Sequence, residues 1–326
     1  MTTLKICGTG SYLPENIVTN AMMEKIVDTT DEWIKTRTGI EQRHFVDGDS
    51  GLSMSHFASL SAIKDAAIEK DKISAIICAS ITHEYSTPSL ACMLHRELEL
   101  PENCMAFDIN AACSGFVYAL NTAAALLSAG ALGGKYVLVV GCEVLSRVTD
   151  FTDRGTCVLF GDGAGAAIVT ADTTRPFHFI CGTQGSTEAL CIPISAAGKH
   201  PFTNHEPENK PFFINMNGQD VFRFAVESVS FGIKNVMEKS GYTDDDIRWY
   251  VCHQANERII RSAAKRLGAP IEKFFMNIAK RGNTSAASIP IALDEMRRVG
   301  ILSRGDKIVL AGFGGGLTYG CASVKF

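Results

Sequence analysis

Cys113, His253 and Asn283 are the side chains whose types and settings could do chemistry together. Cys113 stands in Asp108-Ile-Asn-Ala-Ala-Cys-Ser-Gly-Phe, small residues followed by a long helical run. A thiol at a helix start faces unpaired N–H groups and the positive end of the helix dipole. That setting favours thiolate and predicts a pKa below that of a free cysteine. The bland alternative is a buried cysteine serving as one more small hydrophobe. His253 follows the apolar run Trp249–Cys252 in His-Gln-Ala-Asn. Catalytic groups emerge at such strand ends in parallel α/β sheets, although a core histidine can also cap a strand there. Asn283, in Arg281-Gly-Asn-Thr-Ser-Ala-Ala-Ser, is an amide donor or a helix cap. Gly314-Gly-Gly316 lets backbone approach a ligand closely. One N–H there, paired with that of Cys113, would form an oxyanion hole; a tight turn is the plain alternative.

The elements that must position these groups follow from hydrophobic pattern. Ile73–Ser80, Tyr136–Gly141, Trp249–Cys252 and Lys307–Gly312 are near-continuous apolar runs, which suits strands covered on both faces. Ser53–Lys70, Ser114–Ala129, Gln219–Ser240, Glu257–Leu267 and Ser285–Val299 read as helices. Gly130, Gly241, Gly268 and Gly300 close four of them. The two halves echo each other at a spacing of roughly 170 residues. Ile73 matches Ile247, Ala129-Gly130-Ala131-Leu132 matches Val299-Gly300-Ile301-Leu302, and Val137 matches Ile308. Each series ends in a glycine-rich turn and a last strand, predicting two similar α/β halves, 1–174 and 175–326. In that register Cys113 falls on Asn283, so a pseudo-twofold would bring thiol and amide into one pocket. Gly161-Asp-Gly-Ala-Gly leads into the strand-like Ala166–Thr170 instead of opening a helix, so it lacks the geometry of a dinucleotide cradle. Ser195–Pro211 is polar, holds three prolines and reads as a long loop.

Bulk properties set limits. The chain has 326 residues, 46% hydrophobic and 20% charged, an ordinary globular composition. A net charge of −4 gives no field that would attract nucleic acid or an anionic membrane. No apolar run reaches membrane-spanning length, and the N-terminus reads as a first strand, not a signal peptide. Eleven scattered cysteines without a close pair argue against zinc and for a reducing compartment, the cytoplasm.

With these residues in view, the chain resembles the β-ketoacyl-acyl-carrier-protein synthase III family of the thiolase superfamily. The resemblance rests on Asp31-Glu-Trp-Ile through Thr38-Gly-Ile, Ala111-Ala-Cys-Ser-Gly-Phe, Phe160-Gly-Asp-Gly-Ala-Gly-Ala, Met216-Asn-Gly, His253-Gln-Ala-Asn, Gly282-Asn-Thr-Ser-Ala-Ala-Ser and Phe313-Gly-Gly-Gly. It implies an α/β, thiolase-like five-layer αβαβα fold and a homodimer. It implies the decarboxylative condensation of a primer acyl-coenzyme A with malonyl-acyl carrier protein, which starts fatty-acid synthesis. Cys113 would then accept the acyl group, while His253 and Asn283 hold the malonyl thioester carbonyl. The oxyanion donors would be the N–H groups of Cys113 and Gly315. Trp33, Arg37 and Arg154 would contact coenzyme A, and Tyr85 would reach the partner's acyl pocket. Gln254, Ala255, Asn256, Glu257 and Arg258 would lie where the carrier docks. Both thioesters are substrates, so no cofactor and no metal is expected. Beside that docking segment, Arg258, Arg261 and Lys265 share one face of the predicted helix, with Arg266 next to it. This basic stripe suits an acidic carrier; an ordinary solvated helix face is the alternative.

Other classes stay open at this stage. A cysteine, a histidine and an asparagine also make a thiol hydrolase, and a synthase of the same fold could serve a secondary metabolite or acylate an oxygen or nitrogen.

Overall fold

The computed structural model describes residues 2–132, 135–174, 176–193 and 212–326. The predicted loop Ser195–Pro211 lies outside the described residues. In chain order the principal elements are β1 (Lys5–Tyr12), α1 (Asp31–Thr38), α2 (Gly51–Ala66), β2 (Ile73–Ala79), α3 (Leu90–Glu97) and β3 (Met105–Ile109). They continue with α4 (Gly115–Ser128), β4 (Tyr136–Glu143), β5 (Gly163–Thr170), β6 (His178–Ser186), α5 (Gly218–Ser240) and β7 (Trp249–Cys252). The last are α6 (Glu257–Leu267), α7 (Ser288–Arg298), β8 (Lys307–Gly314) and β9 (Gly316–Lys325).

One sheet has the order β1-β5-β4-β2-β3 and the other β6-β9-β8-β7. Both have the same plan. β2 pairs parallel with β4, then β4 with β5 and β5 with β1 antiparallel; β7, β8, β9 and β6 repeat this in order. Every strand of the first sheet precedes residue 171 and every strand of the second follows residue 177. The counterpart of β3 shrinks to a single bridge between Tyr250 and Phe274.

Three apolar clusters define five layers. Residues of α4 and α7 fill the space between the inner sheet faces, with Ile77, Val139, Leu310 and Ala322 from the strands. α2 and α3 cover the outer face of the first sheet, where Met54, Ala58 and Leu94 meet Ile76 and Val140. α5 and α6 cover the second, where Ile233 and Ile260 meet Val251's neighbours Tyr250 and Cys252. All seven residues of β2 are buried, the result expected of a strand covered on both faces. The αβαβα expectation is met.

The glycine stops predicted at 130, 241, 268 and 300 all have positive φ, where a Cβ is disfavoured. Two helices differ from their predictions. The one read over Ser285–Val299 is α-helical only over Ser288–Arg298, because Ser285–Ala287 forms a 3-10 turn. α2 starts at Gly51 behind a Ser50–Ser53 capping box and ends at Ala66, because Ala67 turns left-handed. The segment to Lys70 that continued the pattern is outside it. Gly163–Thr170 is a strand, as its sequence suggested. A Cβ on Gly165 would come within 2.7 Å of Ile291 and Pro290, so that glycine admits helix α7, not a phosphate.

Candidate active site

Cys113 sits in a short 3-10 turn, Ala112–Ser114, that feeds α4, and the turn Ser285–Ala287 feeds α7 in the same way. Ala112 and Ser285 both hold positive φ, 43° and 47°. The structural counterpart of Cys113 is therefore Ala286, and Asn283 lies three residues before it. The direct match of Cys113 to Asn283 is corrected, because α7 has 11 residues where α4 has 14, so the spacing read at the helix ends is too short by three at the turns.

Close backbone approach brings the two turns together. A Cβ on Gly141, in β4, would lie 2.3 Å from the Ala286 carbonyl oxygen. A Cβ on Gly312, in β8, would lie 3.0 Å from Ser114 Cα. Each turn thus seats on a glycine of the opposite half's central strand. Beyond Gly312, the end of β8 touches both partners. The Phe313 ring meets the His253 ring edge-on at 5.1 Å, and a Cβ on Gly314 would come within 2.8 Å of the Cys113 sulfur.

His253 follows β7 and is 1% exposed. Burial drives its pKa down to about 3, so the imidazole is neutral at physiological pH. Its Nδ1 lies 2.7 Å from Ser288 Oγ, and that oxygen also accepts from the Gln254 N–H at 3.4 Å. With the hydroxyl donating to Nδ1, the imidazole carries its proton on Nε2. Asn283 Oδ1 accepts from the Ser285 N–H at 2.9 Å, which fixes the plane of the carboxamide and leaves its NH2 group as the outward donor.

The thiol lines a cavity of about 990 Å³ together with Thr82, Tyr85, Phe160, Leu190 and Ser285; His253 and Asn283 are not part of that lining. The N–H groups of Gly315 and of Cys113 itself are directed at the sulfur. Burial nevertheless dominates, and with Glu143 nearby it pushes the Cys113 thiol up to about 11. The direction is opposite to the depression expected of a helix start: desolvation of a thiolate outweighs the donors of a short 3-10 turn, although the residue keeps partial access to the cavity it lines.

The other predicted contacts fall in two places. Trp33, on α1, lies under Arg154, whose guanidinium is 5.0 Å from the ring centroid. Arg37 is exposed on the same helix and its carbonyl accepts from the Asn256 side chain at 3.0 Å. Tyr85 is 56% exposed. In the predicted docking segment, Gln254 is a correction. It is 1% exposed, its amide donates to the carbonyls of Cys252 and Phe275, and it accepts from the Asn277 N–H. A side chain so engaged builds the core and meets no partner. Ala255 is half-buried and packs on the outer cluster. Asn256 caps α6. Glu257 pairs with Arg261 at 2.7 Å, and Arg258 lies over the Phe222 ring. Arg258, Arg261, Lys265 and Arg266 are all exposed.

Two residues at the site had not been singled out. Ser288 orients His253, and Glu143, 0% exposed, bonds to Thr82 and Ser285. Glu143 carries the same signal as His253, a polar residue ending an apolar strand run.

Comparison with known proteins gives a consistent picture. Residues 107–186 match the family model for 3-oxoacyl-[acyl-carrier-protein] synthase III, and residues 237–326 match that for its C-terminal part. A β-ketoacyl-[acyl-carrier-protein] synthase III of Clostridium acetobutylicum is 46% identical over 100% of this chain and 99% of its own. The crystal structure of 3-oxoacyl-[acyl-carrier-protein] synthase III from Aquifex aeolicus is 41% identical, covers 99% of this chain and 100% of its own, and has a TM-score of 0.91. The priming β-ketosynthase of the R1128 polyketide pathway is 33% identical over 99% of this chain and 96% of its own, with a TM-score of 0.90.

Proposed function

The chain belongs to the 3-oxoacyl-[acyl-carrier-protein] synthase III family and is an acyltransferase-type condensing enzyme for the initiating step of fatty-acid synthesis, and from that premise we propose that Cys113, His253 and Asn283 carry the reaction. The observation that supports this most directly is that the sulfur lines the cavity with the N–H groups of Gly315 and Cys113 directed at it.

Cys113 attacks the primer acyl-coenzyme A carbonyl and keeps the acyl group as a thioester. The oxyanion that forms meets the two N–H groups. Malonyl thioester then enters and loses carbon dioxide. The enolate oxygen needs donors, and His253 Nε2–H and the Asn283 amide supply them. Because the imidazole is neutral, it donates a hydrogen bond without delivering an acidic proton that would quench the carbanion. The carbanion then attacks the acyl-cysteine. A buried site keeps water from hydrolysing that intermediate.

Trp33, Arg37 and Arg154 hold coenzyme A in this reading, the first and last already stacked. The exposed charges of α6 receive the acyl carrier protein. No cofactor takes part. The working unit is a homodimer, formed along the outer edge of β3, which has no strand neighbour among the described residues and leaves Met105 43% exposed; Tyr85 then reaches the partner's pocket. The location is the cytoplasm; among the described residues no helix is long and apolar enough to cross a membrane.

The test separates the two half-reactions. Cys113→Ala should take up no radiolabelled acyl group yet still decarboxylate the malonyl thioester. His253→Ala and Asn283→Ala should self-acylate yet lose decarboxylation by about 100-fold or more, the scale of one lost oxyanion donor. Loss of acylation in a folded Asn283→Ala protein would remove that residue from the enolate site.

A further inference from the structure

The nucleophile of this reading has a proton to lose, and the three assigned residues leave it without a destination. His253 Nδ1 is held by Ser288, its Nε2 carries the proton the enolate needs, and an amide accepts none. Behind the sulfur lies a second polar chain. The Ser285 hydroxyl sits beside the thiol and donates to Glu143 Oε1 at 3.2 Å. The other oxygen of Glu143 accepts from Thr82 Oγ1 at 2.6 Å and from the Ile81 N–H at 3.2 Å. Glu143 is 0% and Ser285 1% exposed.

Several features argue that this chain does more than fill space. Ser285 shares its positive φ with Ala112 in the equivalent turn, but only Ser285 carries a hydroxyl, which reaches the carboxylate from beside the thiol. Among the described residues no cation pairs with Glu143. The titratable groups that face it are Cys113, across Ser285, and Cys142, its neighbour in β4; its hydrogen-bond partners Thr82, Ile81, Ser285 and Ala286 are neutral. A fully buried, unpaired carboxylate is expensive, and a carboxyl kept there at the end of a strand leading to the nucleophile has the makings of a base.

We propose that Glu143 takes the Cys113 proton through the Ser285 hydroxyl during acyl transfer. The inference rests on Cys113 being the acyl acceptor. As the sulfur bonds to the acyl carbon, its proton passes to Ser285 Oγ and the Ser285 proton passes to Glu143 Oε1. When the tetrahedral oxyanion collapses, the carbon–sulfur bond to coenzyme A breaks. The departing thiolate recovers the proton by the reverse path, so Glu143 ends the step ionised as it began. Glu143 touches no substrate and acts through Ser285. Burial sets its carboxyl at about 7, which suits proton exchange near neutrality.

The test is the pH dependence of Cys113 in the full-length protein, read two ways: alkylation by iodoacetamide, followed by peptide mass, and single-turnover uptake from acetyl-coenzyme A. In the parent protein the alkylation rate should rise with pH through about 7 and level off as Glu143 ionises. In Glu143→Gln the rate near neutrality should fall by about 100-fold, the ordinary range for a general base. It should then keep climbing with pH, because free thiolate becomes the only nucleophile. Ser285→Ala should lose the same plateau while Glu143 remains, and it serves if Glu143→Gln folds poorly. A merely electrostatic neighbour predicts the reverse, since removing a negative charge beside the sulfur eases thiolate formation and speeds alkylation. Unchanged or faster labelling of Glu143→Gln near neutrality would overturn the relay. Acyl uptake by Cys113→Ala would instead sink the underlying assignment of the nucleophile, a separate outcome.

Discussion

At the scale of the residue, burial sets the chemistry more than sequence neighbours do. Cys113 was expected to gain acidity from a helix start, and desolvation reversed the sign. The same force lowers His253 to about 3 and makes it a donor that cannot act as an acid. This has a kinetic consequence. Malonyl decarboxylation by Cys113→Ala should show no inflection at the ordinary histidine value of 6.5 as pH is lowered from about 8 to 5. An imidazolium mechanism would speed up across that range, and rate measurements at constant ionic strength distinguish the two. Ser288 sets the tautomer, so Ser288→Ala should slow decarboxylation more than self-acylation.

At the scale of the element, the site is made by two 3-10 turns pressed onto two glycines. Gly141→Ala places a methyl group against the Ala286 carbonyl, which must move. We expect a stability loss of roughly 1–3 kcal/mol from overpacking, seen as an earlier thermal transition. A fall in acyl uptake should accompany it, because Ser285 shares that turn. Helix α6 offers a milder case. Arg261 is already neutralised by Glu257, so Arg258, Lys265 and Arg266 carry the usable charge of the stripe. Arg258→Glu with Lys265→Glu should raise KM for malonyl-carrier thioester by about 10-fold and weaken its salt dependence, since exposed charges mainly steer encounter. Malonyl-coenzyme A should react almost as before. Equal losses with both donors would mean damage to the site.

At the scale of the whole molecule, two buried groups give stability opposite dependences on pH. Folded His253 stays neutral down to about 3 while its ordinary value is 6.5. Between these the unfolded chain binds more protons, so stability falls as pH falls. Folded Glu143 titrates at about 7 against 4.5. There the folded chain binds more protons, so stability falls as pH rises through that interval. Urea midpoints should fall as pH drops below about 4.5, where His253 acts alone, and stay nearly level between 4.5 and 6.5, where the two slopes oppose; in Glu143→Gln they should instead keep rising with pH up to about 6.5. The proposed dimer makes a simpler prediction: sedimentation at micromolar concentration should give twice the chain mass. A charge at Met105, on the free edge of β3, should release monomers.

The sequence by itself determined the strands, the helices and their repetition in two α/β halves, because buried strands need apolar runs and helix ends need glycine; the five-layer arrangement followed from the family resemblance. Those demands are local and leave marks at Ile73–Ala79 and at Gly130, Gly241, Gly268 and Gly300. It also exposed Cys113, His253 and Asn283, since polar or reactive residues stand out against small and apolar neighbours. Only the tertiary structure decided what these groups are like. The pKa of a thiol depends on what encloses it, and the enclosing residues come from the end of β8, the turn before α7 and β4, far apart in the chain. Gln254 looked like part of a docking segment until its amide was seen to satisfy the backbone of two neighbouring segments. Glu143 and Ser285, separated by about half the chain, became partners only when one half's turn settled on the other's central glycine, a contact no local pattern encodes.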